Sequence, residues 1–169
     1  MSCLILGRAL GARVIVTDVV PEKLDFALKL GAEHAVDARG GDAAARIRDI
    51  TGGGAQVSVD ALGFPDTIRA SLACLRPLGR HVQVGLPTGH HAKVEIDMLG
   101  LYMGQLAVYG TRGMPAWKYP SLLSLIESGR VDVAPILART VALSDVSAEL
   151  AAMNGPTAPG VAVVTDFLN

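Results

Sequence analysis

A continuous run of apolar and β-branched residues at positions 13–18, RVIVTD, is the feature that most constrains the fold. The run does not alternate polar with apolar residues, so it predicts a strand buried on both faces, as in a parallel sheet. Asp18 ends this strand, and Pro21 opens a helix at the position where proline is tolerated. Gly31 closes that helix. Residues 13–31 therefore predict a strand, an acidic turn and a helix in close succession.

The same alternation of short apolar runs and amphipathic stretches continues to residue 110. Further strands are predicted at 34–37, 56–60, 80–84, 94–96 and 106–109, and further helices at 42–50, 66–74 and from residue 98. Strands that alternate with helices are typical of a parallel sheet with helices on both faces. We therefore predict an α/β chain with a doubly wound, Rossmann-type parallel sheet.

The pattern changes after Gly110. A helix at 119–128, a proline-containing link, a helix that ends at Met153 and a strand at 161–164 do not continue the regular alternation. We therefore predict a domain change near Thr111, with a cofactor-type domain at 1–111 and a second segment at 112–169.

Charge and composition exclude several classes of function. The formal net charge is −1, from 15 basic and 16 acidic residues, so the chain has no electrostatic attraction to nucleic acid or to an anionic membrane. No apolar run is long enough to span a bilayer, and no basic segment precedes the apolar start, so a cytoplasmic location is expected. The two cysteines, Cys3 and Cys74, have no zinc-site spacing and are predicted to be buried free thiols.

Asp18 is the first candidate binding residue. A carboxylate at the carboxyl end of such a strand accepts hydrogen bonds from the ribose hydroxyls of a dinucleotide and repels a 2′-phosphate, which selects NAD over NADP. The alternative is an aspartate that only ends a strand and begins a turn. Lys23, five residues later, could reach the same ribose, although a solvated lysine on a helix surface is the commoner case.

The segment LGARVIVTDVVPEKLDFALKLGAEHAVD strongly resembles the zinc-type alcohol dehydrogenases of the medium-chain dehydrogenase/reductase superfamily. The resemblance continues in TGGGAQVSVDALG, LRPLGRHVQVGLP, LAVYGTRG and IESGRVD, and it covers essentially the whole chain. It implies that Asp18 and Lys23 contact the adenosine ribose of NAD. It also implies cofactor contacts at three turns that follow strands, where open α/β sheets bind ligands. These contacts are expected at Ala61, Leu62, Gly63, Val84, Gly85, Leu86, Gly110 and Thr111.

Features of that family are also missing from this sequence. No GxGxxG motif occurs, and residues 1–10 resemble the later part of the helix that the motif opens, so the phosphate-binding loop and the first strand are expected before Met1. Without the central first strand, the second and third strands are expected to be separated from the fourth, fifth and sixth. The family's zinc ligands lie in a catalytic domain upstream, and residues 112–169 resemble the part that packs on that domain. The resemblance therefore implies no zinc ligand and no catalytic residue here, and NAD binding that is weak or lost.

The histidines offer no metal site by sequence. His90 and His91 lie together in a polar loop with no third ligand nearby, so a solvated pair is the expected state. His81 lies within an apolar strand and is predicted to be a structural residue.

Three hypotheses about function stay open, and so does the question of whether the chain alone is an enzyme. The first is the cofactor-binding part of an NAD-dependent zinc alcohol dehydrogenase, inactive by itself. The second is a non-catalytic nucleotide-binding or interaction remnant, which would expose an apolar face around residues 122–126 and 161–164. The third is an NADPH-dependent, zinc-free protein like the quinone reductases, against which Asp18 argues. The resemblance also implies a homodimer that pairs edge strands from Leu106 to Gly110.

Overall fold

A computed structural model describes residues 1–153 and 159–167. The chain divides into two compact units, Met1–Ala35 with Trp117–Asn169, and Val36–Ala116. The domain change near Thr111, which was predicted from the change of pattern after Gly110, stays a prediction.

Helices and strands alternate along most of the chain. The first unit contains α1 (Ser2–Ala9), β1 (Ile15–Asp18), α2 (Pro21–Lys29), α6 (Tyr119–Glu127), β6 (Leu137–Ala142), α7 (Val146–Ala152) and β7 (Val161–Asp166). The second unit contains α3 (Ala43–Thr51), β3 (Ala55–Asp60), α4 (Pro65–Ala73), β4 (Leu75–Gln83), α5 (Met98–Gly104) and β5 (Ala107–Gly110). Strand β2 (His34–Asp37) spans the boundary between the two ranges. No described helix has the length and apolar character needed to cross a membrane.

The described residues form three separate sheets. Strands β3, β4 and β5 form a parallel sheet in that order, β6 pairs with β7 in parallel, and β1 pairs with β2. Among residues 1–153 and 159–167, no strand joins the β1–β2 pair to the β3–β4–β5 sheet. The predicted α/β class is confirmed, and so is the predicted separation of the second and third family strands from the later ones.

The first unit has a small aliphatic core. Leu4 of α1 packs with residues of and just after α2, namely Ala27, Leu30 and Ala32. The Arg8 guanidinium donates a hydrogen bond to the carbonyl of Leu30 at 2.8 Å. Because carbonyls at the end of a helix lack partners within it, this cation stabilises the end of α2 as well as the packing of α1.

The β3–β4–β5 sheet of the second unit has two unlike faces. Ser58 is in register with His81, and Asp60 with Gln83, so these four side chains lie on one face. Ser58, Asp60 and His81 are buried there. Val57 and Val59, on the opposite face of β3, are 47% and 43% exposed, so other described residues cover this apolar face only in part. A polar buried face and an apolar exposed face reverse the usual distribution, so polar contacts must stabilise the buried face.

Several sequence predictions were wrong in detail. Residues 94–96 form no strand, whereas β6 lies in the stretch that was predicted to be a link. Strand β4 begins at Leu75 instead of Arg80 and passes through Leu78, whose φ is +64°. Cys3 is exposed, which contradicts its predicted burial, while Cys74 is buried and this burial raises the pKa of its thiol.

Candidate functional site

The carboxyl ends of β3, β4 and β5 lie side by side and carry three of the predicted contact segments. We call residues 61–63, 84–86 and 110–111 the strand-end turns. The carbonyl of Asp60 accepts hydrogen bonds from the backbone N–H groups of Val84 at 2.9 Å and Gly85 at 2.8 Å. The backbone N–H and the hydroxyl of Thr111 donate to the carbonyl of Gln83 at 3.1 and 2.9 Å. The structure therefore brings all three turns together at one edge of the sheet.

Two glycines permit the close approach of the first two turns. A Cβ atom on Gly85 would lie 2.4 Å from the backbone nitrogens of both Leu62 and Gly63. A Cβ on Gly63 would lie 2.7 Å from the carbonyl carbon and oxygen of Leu86, and the φ of Gly63 is +88°. Backbone atoms cannot move aside as a flexible side chain can, so both positions require glycine for this geometry.

The carboxylate of Asp60 organises the first strand-end turn. Its Oδ1 accepts hydrogen bonds from the N–H groups of Gly63 at 2.6 Å and Leu62 at 3.2 Å. The same oxygen accepts a hydrogen bond from Nε2 of Gln83 at 2.7 Å, and this Nε2 also donates to the carbonyl of Gly85 at 2.8 Å. One carboxamide thus connects the turn after β3 to the turn after β4. We call this pair of hydrogen bonds the Gln83 bridge.

His81 supports the Gln83 bridge from beneath. Only 1% of its surface is exposed, which confirms the predicted structural position. Its Nε2 lies 3.1 Å from Oε1 of Gln83, and its Nδ1 lies 3.2 Å from the Ser58 hydroxyl and 3.1 Å from the Ser71 hydroxyl. Sequence reasoning did not identify Gln83 as part of the site. The signal in the sequence was the pair His81 and Gln83. These polar residues are two positions apart in an apolar strand, so their side chains lie on the same face.

Asp18 ends β1 in the first unit, whereas the strand-end turns belong to the second. Its Oδ1 accepts hydrogen bonds from the N–H groups of Val19 at 2.8 Å and Val20 at 3.0 Å, so the carboxylate does shape the turn before α2. Its Oδ2 accepts no hydrogen bond from any residue in the described part of the chain. One oxygen is therefore engaged by the turn, the other has no partner among the described residues, and the contact of Asp18 with a ribose stays a prediction.

Lys23 lies in the first turn of α2 and is half-buried. Within the described ranges its ammonium group forms no ion pair, with Asp18 or with any other carboxylate. The structure thus leaves the cation available, and its contact with a ribose stays a prediction.

The paired histidines pack against an aromatic ring. The rings of His90 and His91 have centroids 3.8 Å apart, and His91 meets Phe64 edge-on at 4.7 Å. Across residues 1–153 and 159–167, no group of three histidine, cysteine, aspartate or glutamate side chains could hold a metal ion. A zinc ion needs three or four such ligands, so these residues do not fit one.

Comparisons with known proteins agree on one family. The family model described as "Zinc-binding dehydrogenase" matches residues 1–128. Geraniol dehydrogenase from Castellaniella defragrans is 44% identical over 89 residues, which is 52% of this chain and 24% of that protein. Erythritol/L-threitol dehydrogenase from Mycolicibacterium smegmatis is 31% identical over 156 residues, which is 83% of this chain and 40% of that protein.

Solved structures of dehydrogenases have a similar fold. Benzyl alcohol dehydrogenase from Acinetobacter calcoaceticus superimposes with a TM-score of 0.83 and 25% sequence identity, over 97% of this chain and 46% of that chain. The chain therefore spans less than half the length of each of these relatives.

Proposed function

This chain belongs to the zinc-binding dehydrogenase family, and from that premise we propose that it is the cofactor-binding portion of an NAD-dependent oxidoreductase that interconverts alcohols and carbonyl compounds. The observation that carries the proposal is the unengaged Oδ2 of Asp18 at the carboxyl end of β1. A carboxylate oxygen at this position can accept hydrogen bonds from two adjacent ribose hydroxyls. Its charge would also repel the 2′-phosphate of NADP.

The strand-end turns supply the second part of the binding proposal. They have the location at which open α/β sheets bind ligands, and Gly63 and Gly85 allow the backbones of the first two turns to lie in contact there. We propose that residues 61–63 lie beside the adenosine, and that residues 84–86 and 110–111 present backbone groups to the nicotinamide carboxamide. When bound, the nicotinamide ring supplies the hydride-accepting carbon, and the residues of this chain bind and orient it.

The described residues do not form a zinc site. The described part of the chain offers no metal-ligand cluster, so we derive no step through a metal ion from it. We therefore expect the chain by itself to turn over no alcohol. We expect it to bind NAD weakly, at up to millimolar concentration, because this sequence contains no GxGxxG motif.

A homodimer is the proposed assembly. Strand β5 lies at one edge of its sheet, and Val108 and Tyr109 within it are 48% and 52% exposed. An apolar edge strand with unpaired backbone groups favours pairing with a second copy.

A second candidate function is an interaction module without catalysis. Leu123 of α6 and Val161 of β7 are 51% and 46% exposed, within the two apolar segments for which such a surface was expected. Exposed apolar residues that form a patch favour a protein partner. This candidate predicts self-association or partner binding with no response to NADH.

The test of the proposal is an NADH titration of the 169-residue chain, followed by ligand fluorescence and repeated with Asp18→Asn. Asparagine keeps an oxygen that can accept from Val19 and Val20, so the turn before α2 is retained while the charge is removed. Loss of the charge-assisted hydrogen bonds to the ribose should weaken NADH binding by roughly tenfold to a hundredfold, since such bonds contribute about 1.5–3 kcal/mol. NADPH should bind Asp18→Asn better than it binds the unaltered chain.

Asp132→Asn is the matched control, because Oδ1 of Asp132 also accepts a backbone hydrogen bond two residues later, from Ala134 at 2.9 Å. It should leave NADH affinity unchanged. Tighter binding of NADPH than of NADH by the unaltered chain would instead support the zinc-free reductase hypothesis. No binding of either nucleotide at millimolar concentration would overturn the proposal and favour the interaction module.

A further inference from the structure

Four polar side chains lie in hydrogen-bond contact beneath the strand-end turns, and we call Ser58, His81, Gln83 and Asp60 the row. Their partners determine which atom donates in each hydrogen bond. Nε2 of Gln83 faces Oδ1 of Asp60 and the carbonyl of Gly85, and a carbonyl can only accept. The group that faces them must therefore be the NH₂ of the carboxamide, and its oxygen must point toward His81. The orientation of this amide follows from its partners alone.

The same logic fixes the tautomer of His81. Because Oε1 of Gln83 only accepts, the ring nitrogen 3.1 Å away must carry the hydrogen, so neutral His81 is the Nε2–H tautomer. Nδ1 is then an acceptor, and it faces the hydroxyls of Ser58 and Ser71, either of which can donate. Each of these contacts joins a donor to an acceptor, and no buried side-chain nitrogen or oxygen of the described residues lacks a partner, which is the condition for burying such groups at low cost.

The row ends on the backbone of the proposed cofactor site. Residues 61–63 are held by two hydrogen bonds from the N–H groups of Gly63 and Leu62 to Oδ1 of Asp60, an oxygen that also accepts from Gln83. The Gly85 carbonyl, by contrast, receives its side-chain hydrogen bond from Gln83. The two turns thus differ in their contact with the amide, which donates to a backbone carbonyl of the turn at 84–86 but to no backbone group of the turn at 61–63.

We propose that His81 and Gln83 are positioning residues for the nicotinamide end of the dinucleotide: His81 orients the Gln83 carboxamide, and the Gln83 bridge holds the turn at residues 84–86 in the conformation that binds the nicotinamide carboxamide. The inference rests on the proposed function, since that turn has this role only if the chain binds NAD. The adenosine end is proposed to lie next to residues 61–63, whose backbone groups form no hydrogen bond with the Gln83 amide.

The test compares two ligands on three chains. NADH carries both ends of the cofactor, and AMP carries the adenosine end alone. Gln83→Leu removes the Gln83 bridge with little change in volume, and Gln56→Leu makes the same substitution at an exposed position of the neighbouring strand β3. We expect Gln83→Leu to bind NADH about tenfold more weakly, with AMP affinity within twofold of the unaltered chain. Gln56→Leu should change neither affinity.

A merely structural role for Gln83 predicts a different result. A general loss of order would weaken AMP and NADH by the same factor, and that outcome would overturn the inference while the proposed function stands. Unchanged NADH affinity in Gln83→Leu would also overturn it. Failure of the unaltered chain to bind either ligand would overturn the proposed function, and the positioning role with it.

A second measurement on the unaltered chain covers the case in which Gln83→Leu does not fold. Nitrogen-15 NMR of the histidine rings should show His81 as the Nε2–H tautomer, with a ring N–H and Gln83 amide hydrogens that exchange slowly with water. On addition of NADH, and not of AMP, the Gln83 amide signals should shift. An Nδ1–H tautomer, or identical shifts with both ligands, would contradict the inference.

Discussion

Replacing Gly85 with alanine tests the geometry of the strand-end turns directly. The added Cβ would lie 2.4 Å from two backbone nitrogens, whereas an ordinary contact begins at 3.4 Å, so the turns must separate by about 1 Å. Introducing one carbon into a closely packed site costs about 1–3 kcal/mol. The separation would also stretch the hydrogen bonds from Gly85 N–H to Asp60 and from Gln83 to the Gly85 carbonyl, both 2.8 Å, and each contributes about 1 kcal/mol. The expected loss of unfolding free energy is therefore about 3–5 kcal/mol.

Urea unfolding followed by circular dichroism measures this loss. Single domains have unfolding free energies of about 5–15 kcal/mol, so Gly85→Ala should remain partly folded but with a much lower midpoint. With a urea dependence of about 2 kcal/mol per molar, the midpoint should fall by about 2 M. Gly40→Ala is the matched control, because a Cβ at Gly40 meets no atom within 4 Å. It should change the unfolding free energy by less than about 0.5 kcal/mol.

The result that would refute this reasoning is equal stability of the two variants. If Gly85→Ala unfolds within about 1 kcal/mol of Gly40→Ala, the turns do not meet at the observed separation in solution. Hydrogen exchange at Gly63 locates the effect, since its N–H should lose protection only in Gly85→Ala.

The remaining predictions concern charge and assembly. The Arg39 guanidinium beside Asp37 holds the pKa of that carboxyl at about 2, below its ordinary 3.8, so the stability that this pair contributes is present above about pH 4 and is lost as the pH falls toward 2. Arg39→Gln should raise the pKa of Asp37 toward 3.8 in a carbon-13 NMR titration, and an unchanged pKa would show that the ion pair does not form. Sedimentation velocity should show the unaltered chain at about twice the 17.5 kDa of one copy. Val108→Lys on the edge strand should shift it to the mass of one copy, whereas Leu10→Lys, at an exposed residue outside the strands, should not; a single-copy mass for the unaltered chain would contradict the dimer.

Local patterns predicted the first half of the fold well. The strand at 34–37 has the predicted bounds, and α2 begins at Pro21 and ends before Gly31, because proline and glycine act on the backbone of their own neighbourhood. The start of β4 was missed because Pro77 and Gly79 indicate a turn, and the pairing of Leu75 with Ala55 overrides that local signal. Residues 94–96 have the composition of a strand but pair with no neighbour, and composition alone cannot supply a partner.

Some features of the candidate site could likewise be predicted from the sequence, and others could not. Asp18, Gly63 and Gly85 could be selected because each lies at or just after the end of a predicted strand, and their contact with a cofactor stays a prediction. The link between Ser58 and His81 could not be predicted, since 23 residues separate them and only the register of β3 against β4 brings them together. Nor could the sequence show that Asp18 uses one oxygen for its own turn and leaves the other unengaged.

The buried row from Ser58 to Asp60 also limits how this chain can vary. Replacing Gln83 alone leaves the ring N–H of His81 facing an apolar group, and replacing His81 alone leaves the Gln83 oxygen without its donor; each orphaned group costs about 1–3 kcal/mol. Replacing both with aliphatic residues removes the donor and the acceptor of this contact together, so that only the loss of the Gln83 bridge to Asp60 and Gly85 remains. Positions 81 and 83 should therefore covary among relatives of this chain, polar together or apolar together. Single exchanges should be rare, whichever substrate each relative uses.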